Sequence, residues 1–450
     1  MDIEKQILQL NTQKSSLEII KILKKIGRIE NNYPVDPFMN LLSSPNSEVR
    51  RLSIYNLGKL KFETKPLKTM FYKEKDSLVK REIISSIGRQ KNKDNIDFFI
   101  KTLKEKDPKI ILQSIRSLLY FKNEKKVKKE LQKLNNHPNE MIQDVLEIAF
   151  SKKTDYNRDN HTIVNDSLSN VIVEGDVLNT LSKIKEESFH LTFTSPPYYN
   201  ARDYSIYLSY NQYLDFLENV FKEVHRLTKN GRFLIVNTSP VIEPRFSRNH
   251  SSKRYPIPFD LNSRLINQGW EFIDDIIWEK PEPSVKNRVG GFFQHRKPLG
   301  YKPNSVTEYV MVYRKKTTDL LDWNIKQYDD KIISESKVND NFESSNLWKI
   351  DPVFDKSHSA VFPKQLCENI IRYYSMKGDL VFDPFAGSGT VGEVSFLNHR
   401  KFFLTEIQPD YIKRIKKRLN QHEGDLFNND QDFRFFNQED FLNELKSTKD

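Results

Sequence analysis

A single cysteine, Cys367, stands in 450 residues, so the chain has neither an internal disulfide framework nor a cysteine-built zinc cluster. Both absences suit a reducing cytosol. No run of about 18 apolar residues occurs, and the amino terminus, Met1-Asp2-Ile3-Glu4-Lys5, is charged. The expectation is a soluble, unexported, cytoplasmic protein without a membrane span. No lysine follows the glycines of the one small-residue loop, Gly387-Ser388-Gly389, which excludes a phosphate-cradling P-loop, and the loop reads as lacking the G-x-G-x-x-G pattern as well. Cys367 itself lies on an apolar helix face with Leu366, Ile370 and Ile371, the setting of a small buried residue rather than of a nucleophile.

The charge is unevenly spread. Residues 1–155 hold 32 Lys and Arg against 20 Asp and Glu, while the remainder holds 40 against 41, so the whole net charge of +11 originates in the first third. Such a segment suits contact with a polyanion backbone, and equally a lysine-rich helical surface turned to water.

The same residues are poor in glycine and dense in helix formers. Ser47-Glu48-Val49-Arg50, Asp76-Ser77-Leu78-Val79, Lys106-Asp107-Pro108-Lys109-Ile110 and His137-Pro138-Asn139-Glu140-Met141 each offer a polar or proline-bearing helix start before an apolar residue. Val49, Val79, Ile110 and Met141 recur at about 31 positions, and Leu57, Ile87, Leu118 and Ala149 follow them on the same helical face. That period belongs to solenoids of helical pairs, and the stretch resembles short HEAT-like repeats, with Gly58 and Gly88 closing two helices. Residues 156–169 are polar and aperiodic, as a linker is.

From Val171 onward strands alternate with helices, the pattern of a doubly wound α/β sheet. Val171-Ile172-Val173, Phe189 to Phe193, Phe233 to Val236, Leu380 to Phe382 and Lys401 to Thr405 read as strands, Asn211 to Leu227 as an amphipathic helix, and Trp270 to Trp278 with Tyr309 to Tyr313 as a hairpin. This domain spans 170–425, and the acidic, Phe-rich segment 426–450 docks on it through Phe433, Phe435, Phe436 and Phe441.

Two loops carry the chemistry. Ser195-Pro196-Pro197-Tyr198-Tyr199 follows a buried strand; its two prolines fix the backbone and donate no N–H, making a stiff clamp with a hydroxyl, a carbonyl and an aromatic face. Either Tyr198 or Tyr199 offers that face to a flat heteroaromatic amine. In Asp383-Pro384-Phe385-Ala386-Gly387-Ser388-Gly389-Thr390 a strand runs into a carboxylate and then into small residues at a helix start, a nucleotide-type loop. Glu406 ends the next strand about 20 residues on, where such folds place an acid for ribose hydroxyls.

Together these stretches resemble the DNA amino-methyltransferases, in particular the permuted beta group in which the clamp precedes the cofactor loop. The resemblance covers roughly residues 170 to 420. It includes Glu174-Gly175-Asp176, Lys229-Asn230-Gly231-Arg232-Phe233, Trp278-Glu279-Lys280-Pro281, Glu308-Tyr309-Val310-Met311-Val312-Tyr313 and His358-Ser359-Ala360-Val361-Phe362-Pro363. It implies a Rossmann-like, S-adenosylmethionine-dependent methyltransferase sheet, here preceded by an all-α HEAT-like solenoid. Ser195, Pro196, Pro197 and Tyr198 are then catalytic. Asp176, Phe362, Asp383, Pro384, Phe385, Gly387, Ser388, Gly389, Thr390 and Glu406 bind the cofactor, Asp383 taking the methionine amino group, with His358 beside Phe362 in the pocket wall. No metal is implied.

The implied substrate is double-stranded DNA with the target base flipped onto an aromatic, Tyr198 first. The lone pair of an exocyclic amine is delocalised into its ring, and acceptors at Ser195 and the Pro196 carbonyl localise it toward the methyl donor. Arg245, Lys286, Arg288, Arg296 and Lys297 are the candidate DNA contacts, and 279–304 and 316–346 the candidate target-recognition segments. The hydroxyl at position 195 favours cytosine N4 in a restriction-modification or related defence setting, with a cognate nuclease as a candidate partner. Adenine N6 is the alternative, and a catalytically inactive nucleic-acid-binding or scaffold protein the reading from another class. Whether residues 1–155 hold DNA backbone or a protein partner stays open at this point.

Overall fold

In the computed structural model the described residues are 7, 10, 15–26, 33–150, 161–199, 207–243, 247, 249–250, 253–284, 298, 305–338, 342–353, 363–421 and 433–447. The chain divides into two compact units, Met1–Thr154 and Asp155–Asp450. No helix among the described residues is long and apolar enough to cross a membrane.

In the first unit the helices Ser16–Ile26, Ser47–Leu57, Ser77–Arg89, Pro108–Leu119 and Glu140–Phe150 pack in series, and the shorter helices Lys65–Lys73, Ile96–Thr102 and Lys125–Gln132 alternate with them. Local chemistry sets the starts. Asn46, Asp76 and Asp107 each cap a helix by accepting a backbone N–H two residues on, at 3.0, 2.8 and 2.8 Å. A side chain near the end of each helix reaches back to a carbonyl of the preceding one: Asn56 to Leu23 O (3.2 Å), Ser86 to Ile54 O (2.8 Å) and Ser117 to Ile84 O (3.4 Å).

One of the two glycines acts differently from the expectation. Gly58 follows its helix, but Gly88 lies inside Ser77–Arg89 in helical conformation. A Cβ on Gly88 would meet Ser117 Oγ at 2.4 Å, so close helix approach, not termination, requires a glycine there. The repeat also slips by one residue at its last helix. Val49, Val79 and Ile110 are buried, whereas Met141 is 59% exposed and Ile142 takes its inward place.

The second unit is built on a nine-stranded sheet: β1 (Val171–Glu174), β2 (Phe189–Thr194), β3 (Thr228–Thr238), β6 (Trp270–Glu279), β7 (Thr307–Lys315), β8 (Leu347–Lys349), β9 (Leu380–Asp383), β10 (Lys401–Glu406) and β11 (Arg434–Asn437). Their order is β11-β1-β10-β9-β2-β3-β7-β6-β8, and β4 (Val241–Glu243) pairs with β5 (Lys253–Tyr255) in a separate hairpin. Within the nine-stranded sheet only β7 runs against its neighbours. β2 and β9 are buried along their whole length, as strands covered by helices on both faces must be.

The helix Tyr210–Leu227 shows how one such cover forms. Ser209 caps it by accepting the Gln212 N–H at 3.1 Å, and Tyr213, Leu214, Leu217, Val220, Phe221, Val224 and Leu227 make one buried stripe. Each large apolar side chain there contributes about 1.5–3 kcal/mol on burial, and Leu217→Ala would cost about 2–5 kcal/mol.

Two segments differ from their expected places, while the carboxyl-terminal one docks as expected. The carboxyl-terminal segment supplies β11, parallel to β1, and the helix Gln438–Ser447, whose Phe441 packs on Phe403, so the second unit continues through both elements. The linker's end is built in: His161 and Leu168 are buried, and Arg232 Nε donates to His161 Nε2 at 3.1 Å. Residues 319–328 pack at the amino ends of the strands. Asn324 donates to Gly231 O (2.6 Å) and Tyr328 to Asp379 Oδ1 (2.5 Å), opposite the end that carries the two loops.

Candidate active site

β9 and β2 are neighbours, with Leu191 opposite Val381 and Thr192 opposite Phe382. The chain leaves them in opposite directions, β9 toward β10 and β2 toward β3, so their carboxyl ends form the topological switch point of the sheet. The acid-glycine loop and the Ser-Pro-Pro-Tyr clamp both begin there. They are joined directly, because Thr194 Oγ1 donates to Asp383 Oδ1 at 2.6 Å.

Asp383 is 1% exposed. Its Oδ1 also accepts the Phe385 N–H at 3.0 Å, while Oδ2 makes no hydrogen bond to any described residue. Burial pushes its carboxyl up to about 7, and neither hydrogen bond offsets that cost. A buried carboxylate with one oxygen unused is a seat for a cation, which a methionine ammonium is.

Glu406 Oε2 accepts the Gly387 N–H (2.8 Å) and Oε1 the Gln408 N–H (2.8 Å). Burial raises its carboxyl as well, against those amides. Each oxygen retains a second lone pair for a hydroxyl. Between the two acids the loop turns through left-handed backbone at Gly387 (φ 52°) and Gly389 (φ 78°). Gly392, a further three residues on, completes a G-x-G-x-x-G spacing, and a Cβ there would meet Leu404 Cδ1 at 2.7 Å. This is the close packing of helix on strand that the third glycine serves, and the spacing is legible in the sequence.

The other loop residues support this arrangement. Ser388 Oγ lies within 3.4 Å of Thr390 Oγ1 and accepts from Arg418 at 3.3 Å, and Arg418 also pairs with buried Glu393 at 2.7 Å. Pro384 O accepts the Thr405 hydroxyl at 2.8 Å, and the Phe385 ring lies 6.1 Å from that of Phe216. At the end of β1 the Gly175 N–H donates to Glu406 O (3.0 Å). Asp176 caps the helix Val177–Leu181 and is itself held by Gln438 (2.9 Å) from the carboxyl-terminal helix.

The clamp leads into a polar network that its own sequence does not announce. The Tyr198 hydroxyl donates to Glu308 Oε2 at 3.0 Å, and the Ser195 and Ser239 hydroxyls bond to it. Burial and the Glu308 charge hold the phenol well above its usual range, so it stays a neutral donor. Glu308, on β7, also accepts from Asn237 Nδ2 (2.6 Å) on β3 and pairs with Lys280, which follows β6 and lies over the Trp278 ring. Asn237 Oδ1 and Thr238 Oγ1 are buried here without a partner among the described residues.

Tyr199, by contrast, is 9% exposed and enclosed by Tyr210, Tyr213 and Tyr255, with ring centroids 5.4, 5.6 and 4.8 Å away. Through Tyr255 it packs against the β4–β5 hairpin, with rings of described residues around it. Cys367 is buried and lies 3.9 Å from Thr390 O, behind the loop. Among the described residues no cluster of His, Cys, Asp or Glu could hold a metal ion. Phe362, His358, Arg245, Lys286, Arg288, Arg296 and Lys297 lie outside the described residues.

A family described as DNA methylase, of N6/N4 type, matches residues 189–417. The Type II beta methyltransferase M.BslI of Bacillus sp. (strain NEB-606) is 26% identical over 257 residues, 55% of this chain and 27% of that protein. The chain therefore spans about a quarter of that relative's length. The orphan methyltransferase M.BamHII of Bacillus amyloliquefaciens is 30% identical over 262 residues, 52% of this chain and 89% of its own. Among solved structures, PvuII DNA methyltransferase (cytosine-N4-specific) is similar over 62% of this chain and 94% of its own, with 20% identity and a TM-score of 0.42.

Proposed function

The chain belongs to the DNA methylase family of N6/N4 type, and from that membership we propose that it methylates the exocyclic N4 of cytosine in duplex DNA. The observation that carries this reading is the Thr194–Asp383 hydrogen bond, which fixes the clamp beside the acid-glycine loop at one switch point. S-adenosylmethionine, the methyl donor of such enzymes, supplies an electrophilic methyl on a sulfonium when bound. The residues present fit it: Asp383 Oδ2 for the ammonium, the spare acceptor capacity of Glu406 for ribose hydroxyls, and the glycine backbone for close approach.

The clamp's task is to prepare the amine. Ser195 Oγ and the Pro196 carbonyl accept its hydrogens, so the nitrogen lone pair is drawn out of conjugation. Tyr198 gives its ring to the flipped base while its hydroxyl is held by Glu308, which keeps the ring from swinging. Charge on Glu308 is balanced by Lys280, so the network adds no net charge beneath the base.

A hydroxyl at position 195 supports cytosine over adenine. The permuted beta-group assignment, a restriction-modification setting with a partner nuclease, and a HEAT-like character for the first unit belong to the same proposal. Incubating the protein with DNA and labelled cofactor, then identifying the nucleoside by mass spectrometry, tests it. N4-methylcytosine is expected; N6-methyladenine would replace the base assignment, and no methylated nucleoside would leave an inactive binding protein.

A further inference from the structure

We propose that the first unit holds the DNA backbone in a groove across three of its stacked helices, centred on Arg81, Lys109 and Arg116. The proposal deepens the reading above, because it takes duplex DNA as the substrate. Helices Ser47–Leu57, Ser77–Arg89 and Pro108–Leu119 line a groove of about 400 Å³ with Arg51, Arg81, Lys109 and Arg116 on its walls.

What marks these three cations is that they lie unpaired together in one groove; other lysines of the unit, Lys122, Lys128 and Lys129 among them, also have no carboxylate within 4.0 Å among the described residues but do not line it. Around the groove, basic side chains reach carboxylates of a neighbouring helical pair: Arg50 to Glu74 (2.9 Å), Lys80 to Glu105 (3.3 Å) and Lys93 to Glu124 (2.7 Å). Within it, Arg51 is neutralised by Glu48 (2.8 Å), and Glu82 is taken by Arg89 (2.9 Å). Arg81, Lys109 and Arg116 have no carboxylate within 4.0 Å among the described residues. Arg81 Nε is in addition buried without a hydrogen-bond partner, a desolvated donor that an anion would satisfy.

Three unpaired cations on adjacent helices match a polyanion that presents charges at regular steps. The charge distribution points the same way, since residues beyond 155 carry 40 basic against 41 acidic side chains and supply no excess for phosphates. Leu78 and Met141, 50% and 59% exposed on the same groove, are what an acidic peptide with an apolar anchor would use instead.

The full chain carrying R81Q, K109Q and R116Q is compared with one carrying K122Q, K128Q and K129Q, an equal loss of charge on exposed lysines elsewhere in the unit. Binding of two 30-base-pair duplexes of unrelated sequence is followed by fluorescence anisotropy over a salt series. The groove variant should lose about tenfold or more in affinity on both duplexes, and its slope of log K against log salt should flatten by about 2–3, at roughly 0.9 per phosphate. The control should change neither.

Equal behaviour of the two variants overturns the proposal. So does an unchanged duplex affinity when the groove variant loses binding of a synthetic Glu/Leu peptide, which would make the groove a protein-binding site. Methyl transfer at saturating DNA should be unaffected by the groove substitutions. A parent that binds DNA through the groove yet transfers no methyl would sink the catalytic reading alone.

Discussion

Thr194 and Asp383, 189 positions apart in sequence, share a 2.6 Å hydrogen bond at the adjoining carboxyl ends of β2 and β9. The bond couples the residue before the clamp serine to the acid of the glycine loop, and it engages only one of the two carboxylate oxygens.

Asp383, raised to about 7 by burial, is partly protonated at neutral pH in the free protein. A bound ammonium needs the ionised form, so cofactor affinity should rise from pH 6 to 8, with proton release, and then level. Asp383→Asn should remove that dependence and weaken binding by about tenfold or more, roughly 1.4 kcal/mol. The stability effect has the opposite sense. A folded pKa above the unfolded one favours the native state fully below about 4 and loses that contribution as pH rises through 7. Calorimetry in two buffers of different ionisation heat checks the linkage, and an affinity flat across the range would reject the ammonium seat.

Ser195→Ala and Tyr198→Ala should slow methyl transfer while leaving cofactor binding within about twofold, because the Ser195 hydroxyl and the Tyr198 ring face the base. Single-turnover rates within about threefold of the parent, less than roughly 0.7 kcal/mol of barrier, would remove the clamp from the chemistry.

Glu308→Gln should lower the single-turnover rate about tenfold or more, since it loosens Tyr198 and leaves Lys280 without its counter-charge. Cofactor affinity should hold. Lys280→Met alone should also be slow, and the double variant should lose less than the two losses combined, a coupling of about 1 kcal/mol. Additive losses would mean that Glu308 and Lys280 do not act through one network.

Gly88→Ala should destabilise the first unit by about 1–3 kcal/mol, because its methyl meets Ser117 Oγ at 2.4 Å across two packed helices. Gly58→Ala should cost at least as much, since its methyl meets Ser86 Oγ at 2.6 Å and Ser86 Cβ at 2.8 Å. Urea unfolding of the full chain, followed by helical circular dichroism, measures both. Recovery in a Ser117→Ala background is expected, and a cost unchanged there would place the strain elsewhere.

Much of the scaffold is written in local pattern. The buried strands, the amphipathic helix 210–227, the helix starts near 47, 77 and 108, and the two chemical loops all follow from apolar period, proline and glycine placement, and caps within a few residues. The last repeat was the weakest part of that pattern. Met141 and Ile142 are both apolar, and only packing against the preceding helix selects Ile142 as the buried one.

The partners of the active loops follow a different rule. Glu308 meets Tyr198, and Lys280 and Asn237 meet Glu308, because β7, β6 and β3 lie side by side, and a carboxylate, a lysine and an amide 28 to 71 positions apart carry no local signal of that meeting. Strand order likewise turned Tyr199 into an aromatic core, drew β11 onto β1, and put residues 319–328 at the far end of the sheet. The sequence by itself determined which segments fold and which loops could act, because helix caps, periodicity and proline stiffness operate over a few residues. Only the tertiary structure decided which side chains those loops would meet, because sheet neighbours are chosen by burial over the whole domain, and burial, with the Glu406 charge beside it, raised Asp383 to about 7.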